Sequence, residues 1–152
     1  MVLRRAVMMA LLMGSATGMG GVSAADKPED AAQAAAESWL RLVDGGDYSG
    51  SWSQSASAFK GAVKANEWTK MAEGIRNPLG KLVSRKLKSR EYSEKGPTTR
   101  MVGGKIYSWA GPGKCVTIQY DATFANKASA VETVIPVPDS DGVWRVSGYS
   151  VR

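Results

Sequence analysis

The chain has 152 residues, with 20 basic and 14 acidic side chains and a net charge of +6, and its length suits one domain with its own core. It contains no histidine, which excludes Ser–His and Cys–His catalysis, a histidine proton shuttle and histidine-ligated zinc. Cys115 is the only cysteine, so an internal disulfide is excluded. Because Cys115 begins an alternating stretch, we expect an inert packing residue there rather than a reactive thiol or an intermolecular disulfide.

The first 24 residues have the three parts of a bacterial signal peptide. Arg4 and Arg5 precede an uncharged, mostly apolar stretch that ends in the small residues Val22-Ser23-Ala24. Glycines interrupt this stretch, which is shorter than the roughly 20 apolar residues of a membrane-spanning helix. We therefore expect cleavage after Ala24, or as a second choice after Ala25, and no transmembrane anchor afterwards. Residues 25–152 are then a single domain in the periplasm or outside the cell.

Three helices are predicted in the first half of this domain. The first begins at Asp26, which can form a capping box with Glu29, and it ends at Gly45-Gly46. Its apolar residues recur at helical spacing: Ala32, Ala35, Ala36, Trp39, Leu40 and Val43. Asp47 is predicted to cap a second, shorter helix that extends to about Phe59. Asn66 is predicted to cap a third, which ends at Asn77-Pro78 because the residue before proline avoids the helical region.

After Gly80 the hydrophobic period becomes alternating, which predicts four strands. They run from about Leu82 to Tyr92, Cys115 to Phe124, Ala128 to Val137 and Val143 to Val151. The second is the most regular, and its apolar face comprises Val116, Ile118, Tyr120, Ala122 and Phe124. A Gly-rich stretch, Lys95 to Lys114, separates the first two strands and could add a hairpin. Helices followed by an antiparallel meander predict an α+β domain of N-terminal helices packed on a curved sheet of about four strands.

Seven segments of the chain form a recognisable pattern: Ala34 to Leu40, Val43 to Tyr48, Arg76 to Gly80, Val83 to Arg85, Ile118 to Tyr120, Phe124 to Val134 and Trp144 to Tyr149. This pattern resembles a family of small exported bacterial proteins, the domain of unknown function 4019. The opening and closing segments also resemble the cystatin-like cone of nuclear transport factor two. That resemblance implies a curved sheet with a cone-shaped pocket, but it implies no activity, because such folds host enzymes and binding modules alike. It carries over no catalytic residue.

The first candidate site is the polar face of the most regular strand, with Gln119, Asp121 and Thr123, joined by Arg145 or Thr133 from neighbouring strands. A carboxylate buried there could act as a general base if its pKa approached the working pH. The alternative is that Asp121 pairs with Arg145 or simply faces water.

The second candidate is a basic strand, in which a period of two places Lys86, Lys88 and Arg90 on one side. Three aligned cations could bind a phosphate-rich envelope polymer. The alternative is an edge strand that its lysines protect against pairing with other sheets. Only Tyr92 lies nearby as an aromatic residue, which gives little support to nucleic-acid binding.

The third candidate is a set of aromatic residues that either line a pocket or form ordinary core: Trp39, Trp52, Trp68, Tyr120, Trp144 and Tyr149. Trp109, in the Gly-rich stretch, is predicted to be a contact residue or a pocket lid.

The favoured hypothesis is a non-catalytic binding or interaction module with an unknown small molecule or envelope protein as partner. It needs no cofactor or metal, binds no nucleic acid, and a homodimer is plausible. Two alternatives stay open. One is a histidine-independent isomerase or hydratase with Asp121 as the base, and the other is a protein associated with an envelope polyanion through the basic strand.

Overall fold

The computed structural model describes residues 27–97 and 113–152, together with the backbone of Tyr107 and Ser108. Four helices come first: α1 (Pro28–Asp44), α2 (Tyr48–Ser53), α3 (Ser57–Ala62) and α4 (Ala65–Arg76). Five strands follow: β1 (Leu82–Ser93), β2 (Tyr107–Ser108), β3 (Cys115–Phe124), β4 (Lys127–Pro138) and β5 (Trp144–Val151). The signal-peptide prediction and Trp109 lie outside the described residues.

The strands form one antiparallel sheet in the order β1-β3-β4-β5-β2, and the helices pack on one of its faces. This confirms the predicted α+β class with four long strands. The short β2 pairs with β5 at Tyr149 and Gly148 and adds a fifth strand. No helix in the described ranges is both long and apolar enough to cross a membrane.

The helix boundaries follow the sequence with three differences. The first helix has Lys27 as its N-cap, whereas Asp26 lies outside the described residues. The last one begins at Ala65 and has Lys64 rather than Asn66 as its N-cap, where the Glu67 carboxylate accepts a hydrogen bond from the Lys64 N–H at 3.0 Å. The predicted second helix is two helices, since the Ala56 N–H leaves the helical pattern and donates to the Val146 carbonyl of β5 at 2.8 Å.

The main hydrophobic core fills the space between the helices and the sheet. Three aromatic side chains meet at its centre, with ring centroids 5.6 Å apart for Trp39 and Trp68 and 5.2 Å apart for Trp39 and Tyr149. Both indole N–H groups are satisfied by α2, where Trp39 donates to the Ser51 carbonyl and Trp68 to the Ser51 hydroxyl. A smaller cluster of Ala122, Phe124 and Ala130 lies at one end of the sheet, against Leu79, Leu82 and Val151.

Strand β1 departs from its predicted alternation. Irregularities in its pairing with β3 fall between Leu82 and Ser84 and between Leu87 and Ser89. Val83 falls within the first irregularity and is 67% exposed. Beyond the second irregularity, Arg90 lies opposite the buried Ile118, on the face toward the helices.

Candidate functional site

The polar residues of β3 lie on the sheet face opposite the helices. Gln119 and Thr123 are half-buried, whereas the Asp121 side chain is 59% exposed and forms an ion pair with Lys88 at 3.0 Å. General-base catalysis would need a buried, unpaired carboxylate at this position, and Asp121 is neither buried nor unpaired.

The structure does not bring Arg145 to Asp121: Arg145 lies on β5 opposite Val137, and Asp121 pairs with Lys88 instead. The Arg145 guanidinium is held in the β4–β5 turn by Asp139 at 3.3 Å and by both carboxylate oxygens of Asp141 at 2.8 Å. Hydrogen bonds from Arg145 and from the Val143 N–H lower the pKa of Asp141 to about 2. The predicted group therefore separates into the polar face of β3, where Gln119 lies opposite Thr133 of β4, and Arg145 beside the β4–β5 turn.

The three cations of the basic strand do not share one side, which corrects the prediction made from a period of two. The irregularity next to Lys88 shifts the alternation, so that Arg90 reaches Asp30 on α1 at 2.6 Å. Lys88 pairs with Asp121, and only Lys86 has no ion-pair partner among the described side chains.

The predicted aromatic set is largely core. Trp39, Trp68, Tyr120 and Tyr149 are buried, while Trp52 and Trp144 are partly buried against them. Cys115 is also fully buried, and burial raises the pKa of its thiol, as an inert packing residue requires.

The most unusual feature of the helix–sheet interface is a group of charged side chains, which we call the arginine–carboxylate cluster. One residue comes from each of five elements, α1, α4, β1, β4 and β5: Asp44, Arg76, Arg85, Glu132 and Tyr149. Glu132 is 0% exposed, Arg76 6% and Asp44 22%. The cluster thus joins every long element except β3.

Arg85 bridges the two carboxylates. Its Nε donates to Glu132 Oε2 at 2.6 Å, and its two terminal nitrogens donate to Asp44 at 2.7 and 2.9 Å. To reach Glu132 on β4, the side chain must cross β3, where it lies opposite Ala122. A small residue at that position leaves room for the guanidinium, which lies 6.0 Å from the Tyr120 ring centroid.

Arg76 closes the other side of the cluster. It donates to Asp44 at 2.9 Å and to the Tyr149 hydroxyl at 3.4 Å, and its guanidinium lies 5.0 Å from the Phe124 ring centroid. Tyr149 donates its own proton to Glu132 Oε1 at 2.6 Å. Both oxygens of Glu132 are therefore occupied, one by Tyr149 and the other by Arg85.

The electrostatics of the cluster favour its charged form. Burial by itself raises the pKa of Asp44, but hydrogen bonds and positive charge from Arg85 and Arg76 outweigh burial and lower it. Burial lowers the pKa of Arg85, but Asp44 and Glu132 outweigh this and raise it above its ordinary range. Burial and the neighbouring Glu132 charge raise the pKa of Tyr149, which stays protonated as a donor.

Two arginines and two carboxylates balance in charge, which is the condition under which buried ions are tolerated. Each carboxylate is held by at least two donors, and Asp44, with Arg76, also lines a shallow open cavity of about 320 Å³. The geometry fits a structural junction that fixes five elements relative to one another.

The sequence contains a signal for this cluster that periodicity alone did not reveal. Arg76 follows Trp68 and Ala72 on one helical face, and Glu132 lies between Ala130 and Val134 on the buried side of β4. A charged residue on an apolar face predicts a buried partner. All five cluster residues also fall within the segments that carry the family resemblance.

A second feature is an open cleft of about 450 Å³ between α4 and the ends of β4 and β5, which we call the α4 cleft. Four apolar residues, one glycine and two lysines line it: Lys70, Met71, Gly74, Ile75, Leu79, Lys127 and Val151. Neither lysine forms an ion pair with a described side chain, and within the described ranges no three Asp, Glu or Cys side chains are grouped to hold a metal ion.

Comparison with known proteins identifies the family but gives no activity. Searches of curated proteins and of solved structures each return no match to this chain. The family model described as "Protein of unknown function (DUF4019)" matches residues 35–149, a range that includes the whole arginine–carboxylate cluster. The match covers more than half of the chain, which therefore belongs to this family.

Proposed function

We propose that this chain is an exported, non-catalytic binding module that takes a small ligand in the α4 cleft. The observation that carries the proposal is the cleft itself, where side chains from both hydrophobic clusters stay partly open to solvent. Its volume lies within the usual range for small-molecule sites, about 300–1,000 Å³. Export is supported by the signal-like sequence of residues 1–24.

The arginine–carboxylate cluster supports the proposal indirectly. It ties the end of α4 to α1 and to the sheet, since Arg76 is the last residue of that helix. A fixed helix beside the sheet gives a preformed cleft, and a preformed site loses less conformational entropy when a ligand binds.

The alternative functions have less support in the geometry. The catalytic hypothesis needs a buried, unpaired Asp121, and this residue is exposed and paired with Lys88. The polyanion hypothesis needs three aligned free cations, and two of these three are engaged by Asp121 and Asp30.

The test compares native and denaturing mass spectrometry of the protein purified from its own compartment. The denatured mass should correspond to cleavage after Ala24, and the native mass should include an additional small molecule. A Gly74→Leu variant, which fills the cleft, should lose that molecule, whereas Gly61→Leu on α3 should retain it. A Cβ at either glycine meets no atom within 4 Å, so both variants should fold.

A native mass without any additional molecule would count against a retained ligand. An additional molecule kept equally by Gly74→Leu and Gly61→Leu would place the binding site outside the α4 cleft.

A further inference from the structure

The floor of the α4 cleft is an incompletely covered part of the hydrophobic core. Met71 and Ile75 of α4 pack against the main cluster, and Leu79 packs against the smaller one. Val151, at the end of β5, contacts both clusters. The cleft therefore lies where the two clusters meet, and its apolar surface stays accessible to an apolar group.

A glycine in the helix keeps this space open. Gly74 lies inside α4, where glycine costs about 0.5–1 kcal/mol relative to alanine. Its φ is not positive, and a Cβ added there would meet no atom within 4 Å, so neither backbone conformation nor packing demands glycine. The consequence of its missing side chain is an open cleft.

The charges around the cleft have one sign. Lys70 and Lys127 line it and have no acidic partner among the described residues, and no acidic side chain joins the lining. Lys88, Arg90 and Arg145 pair with carboxylates, whereas Lys86 on β1, like the two cleft lysines, has no partner among the described side chains but does not line the cleft. Two unpaired cations beside an apolar surface are complementary to a molecule with an apolar body and an anionic group.

From this juxtaposition we infer that the α4 cleft binds a monoacyl amphiphile with an anionic headgroup. The acyl chain covers Met71, Ile75, Leu79 and Val151, and Lys70 and Lys127 hold the headgroup. The inference rests on the proposed function, because it names the class of ligand for the same cleft.

The test is calorimetric titration of the mature protein with four probes below their micelle concentrations: decanoate, decyl phosphate, decyltrimethylammonium and acetate. Decanoate and decyl phosphate should bind with one-to-one stoichiometry. Decyltrimethylammonium should bind at least about tenfold more weakly, because it places a cation beside two lysines. Acetate should show no measurable binding, because it lacks the chain that buries apolar surface.

Matched variants assign the two halves of the site. The double variant Lys70→Gln/Lys127→Gln should weaken decanoate at least about tenfold, whereas Lys86→Gln, an unpaired lysine on β1, should leave it unchanged. Gly74→Leu should abolish binding, and Gly61→Leu should not. Circular dichroism of each variant checks that the fold is retained.

Equal binding of the anionic and cationic probes, or unchanged decanoate affinity in Lys70→Gln/Lys127→Gln, would overturn the assignment of an anionic headgroup. No binding of either anionic probe would overturn the amphiphile class altogether. The proposed function fails separately, because a native ligand that Gly74→Leu displaces would still establish the cleft as a binding site of other chemistry.

Discussion

The arginine–carboxylate cluster and the α4 cleft place cations in opposite situations, although both lie beside α4. In the cluster, Arg76 is buried and Arg85 is 14% exposed, and together they contact two carboxylates and the Tyr149 hydroxyl. At the cleft, Lys70 and Lys127 line a partly open apolar surface without acidic partners. Paired buried ions cost desolvation and require one another, whereas lysines at the surface remain available to a ligand.

The difference separates residues that maintain the fold from residues that we propose to bind a ligand. Removing one member of the cluster leaves an uncompensated buried charge, so the effect should appear in stability. Removing a cleft lysine leaves no buried charge without a partner, so the effect should appear in ligand binding, and stability should stay almost unchanged.

The largest effect should come from Glu132→Gln, which leaves two arginines facing one carboxylate. Breaking a buried ion pair on one side typically costs about 3–5 kcal/mol, and we expect the free energy of unfolding to fall by that amount. Urea denaturation measures it. The matched control is Asp121→Asn, on the adjacent β3, whose exposed pair with Lys88 should contribute less than about 1 kcal/mol. Equal losses in the two variants would contradict a structural role for the cluster.

The double variant Arg85→Met/Glu132→Met tests whether charge imbalance is the cause. It removes one cation and one anion and leaves the Arg76–Asp44 pair, which is 2.9 Å apart. The double variant should be more stable than either single substitution, by about 1–3 kcal/mol in a urea denaturation cycle. Strict additivity of the two single losses would show that lost packing, and not net charge, controls the effect.

Substitution by phenylalanine should have different effects on stability at two tyrosines of the same interface. Tyr149→Phe removes the donor to Glu132 Oε1 at 2.6 Å and should cost about 1–3 kcal/mol. The Tyr120 hydroxyl is buried without a hydrogen-bond partner in the described part of the chain, so Tyr120→Phe should be neutral or stabilising. Thermal unfolding of both variants measures these changes in stability. A large loss of stability in Tyr120→Phe would indicate that the Tyr120 hydroxyl has a hydrogen-bond partner.

Most of the fold could be predicted from the sequence because each element carries a local signal. The apolar residues of α1 recur at helical spacing, and β3 alternates from Val116 to Phe124 with its buried side toward the helices. The predictions failed where a distant contact overrides a local pattern. Ala56 leaves the second helix to bond with β5, and the irregularity next to Lys88 turns Arg90 toward α1.

The candidate sites were harder to predict, since they depend on side chains that are far apart in the sequence. Asp44 and Glu132 are joined by Arg85 across β3, and no spacing along the chain encodes that contact. Of the residues chosen from the sequence, Asp121 lies on the exposed face of β3, and Arg145 lies near the start of β5, paired with the β4–β5 turn. Polar alternation finds a polar face readily, but it does not distinguish a solvated face from a binding site.

The acid dependence of stability should separate the cluster from the surface. The pKa of Asp44 is lowered in the folded state, so its stabilising contribution is complete above the unfolded pKa of about 4 and is lost as the pH falls through the folded value. Wild-type protein should therefore lose more stability than Asp44→Asn between about pH 5 and pH 2. Asp141 serves as the control, because its pKa is also lowered but its side chain is exposed. High salt should weaken the Asp141→Asn effect much more than the Asp44→Asn effect, because exposed pairs are screened.

The smallest effect on stability should come from the residue that keeps the cleft open. Gly74→Ala adds a methyl group to a helix position where a Cβ meets no atom, so it should raise the free energy of unfolding by about 0.5–1 kcal/mol. Gly61→Ala on α3 should give a similar gain, because a Cβ there is equally free. Decanoate binding separates the two positions, since only the methyl group at residue 74 enters the cleft. A gain in stability at both sites, with weaker decanoate binding for Gly74→Ala alone, would show that α4 gives up stability where the cleft needs space. Unchanged binding would mean that a methyl group at residue 74 leaves enough room for the acyl chain, and the larger Gly74→Leu would then be the decisive variant.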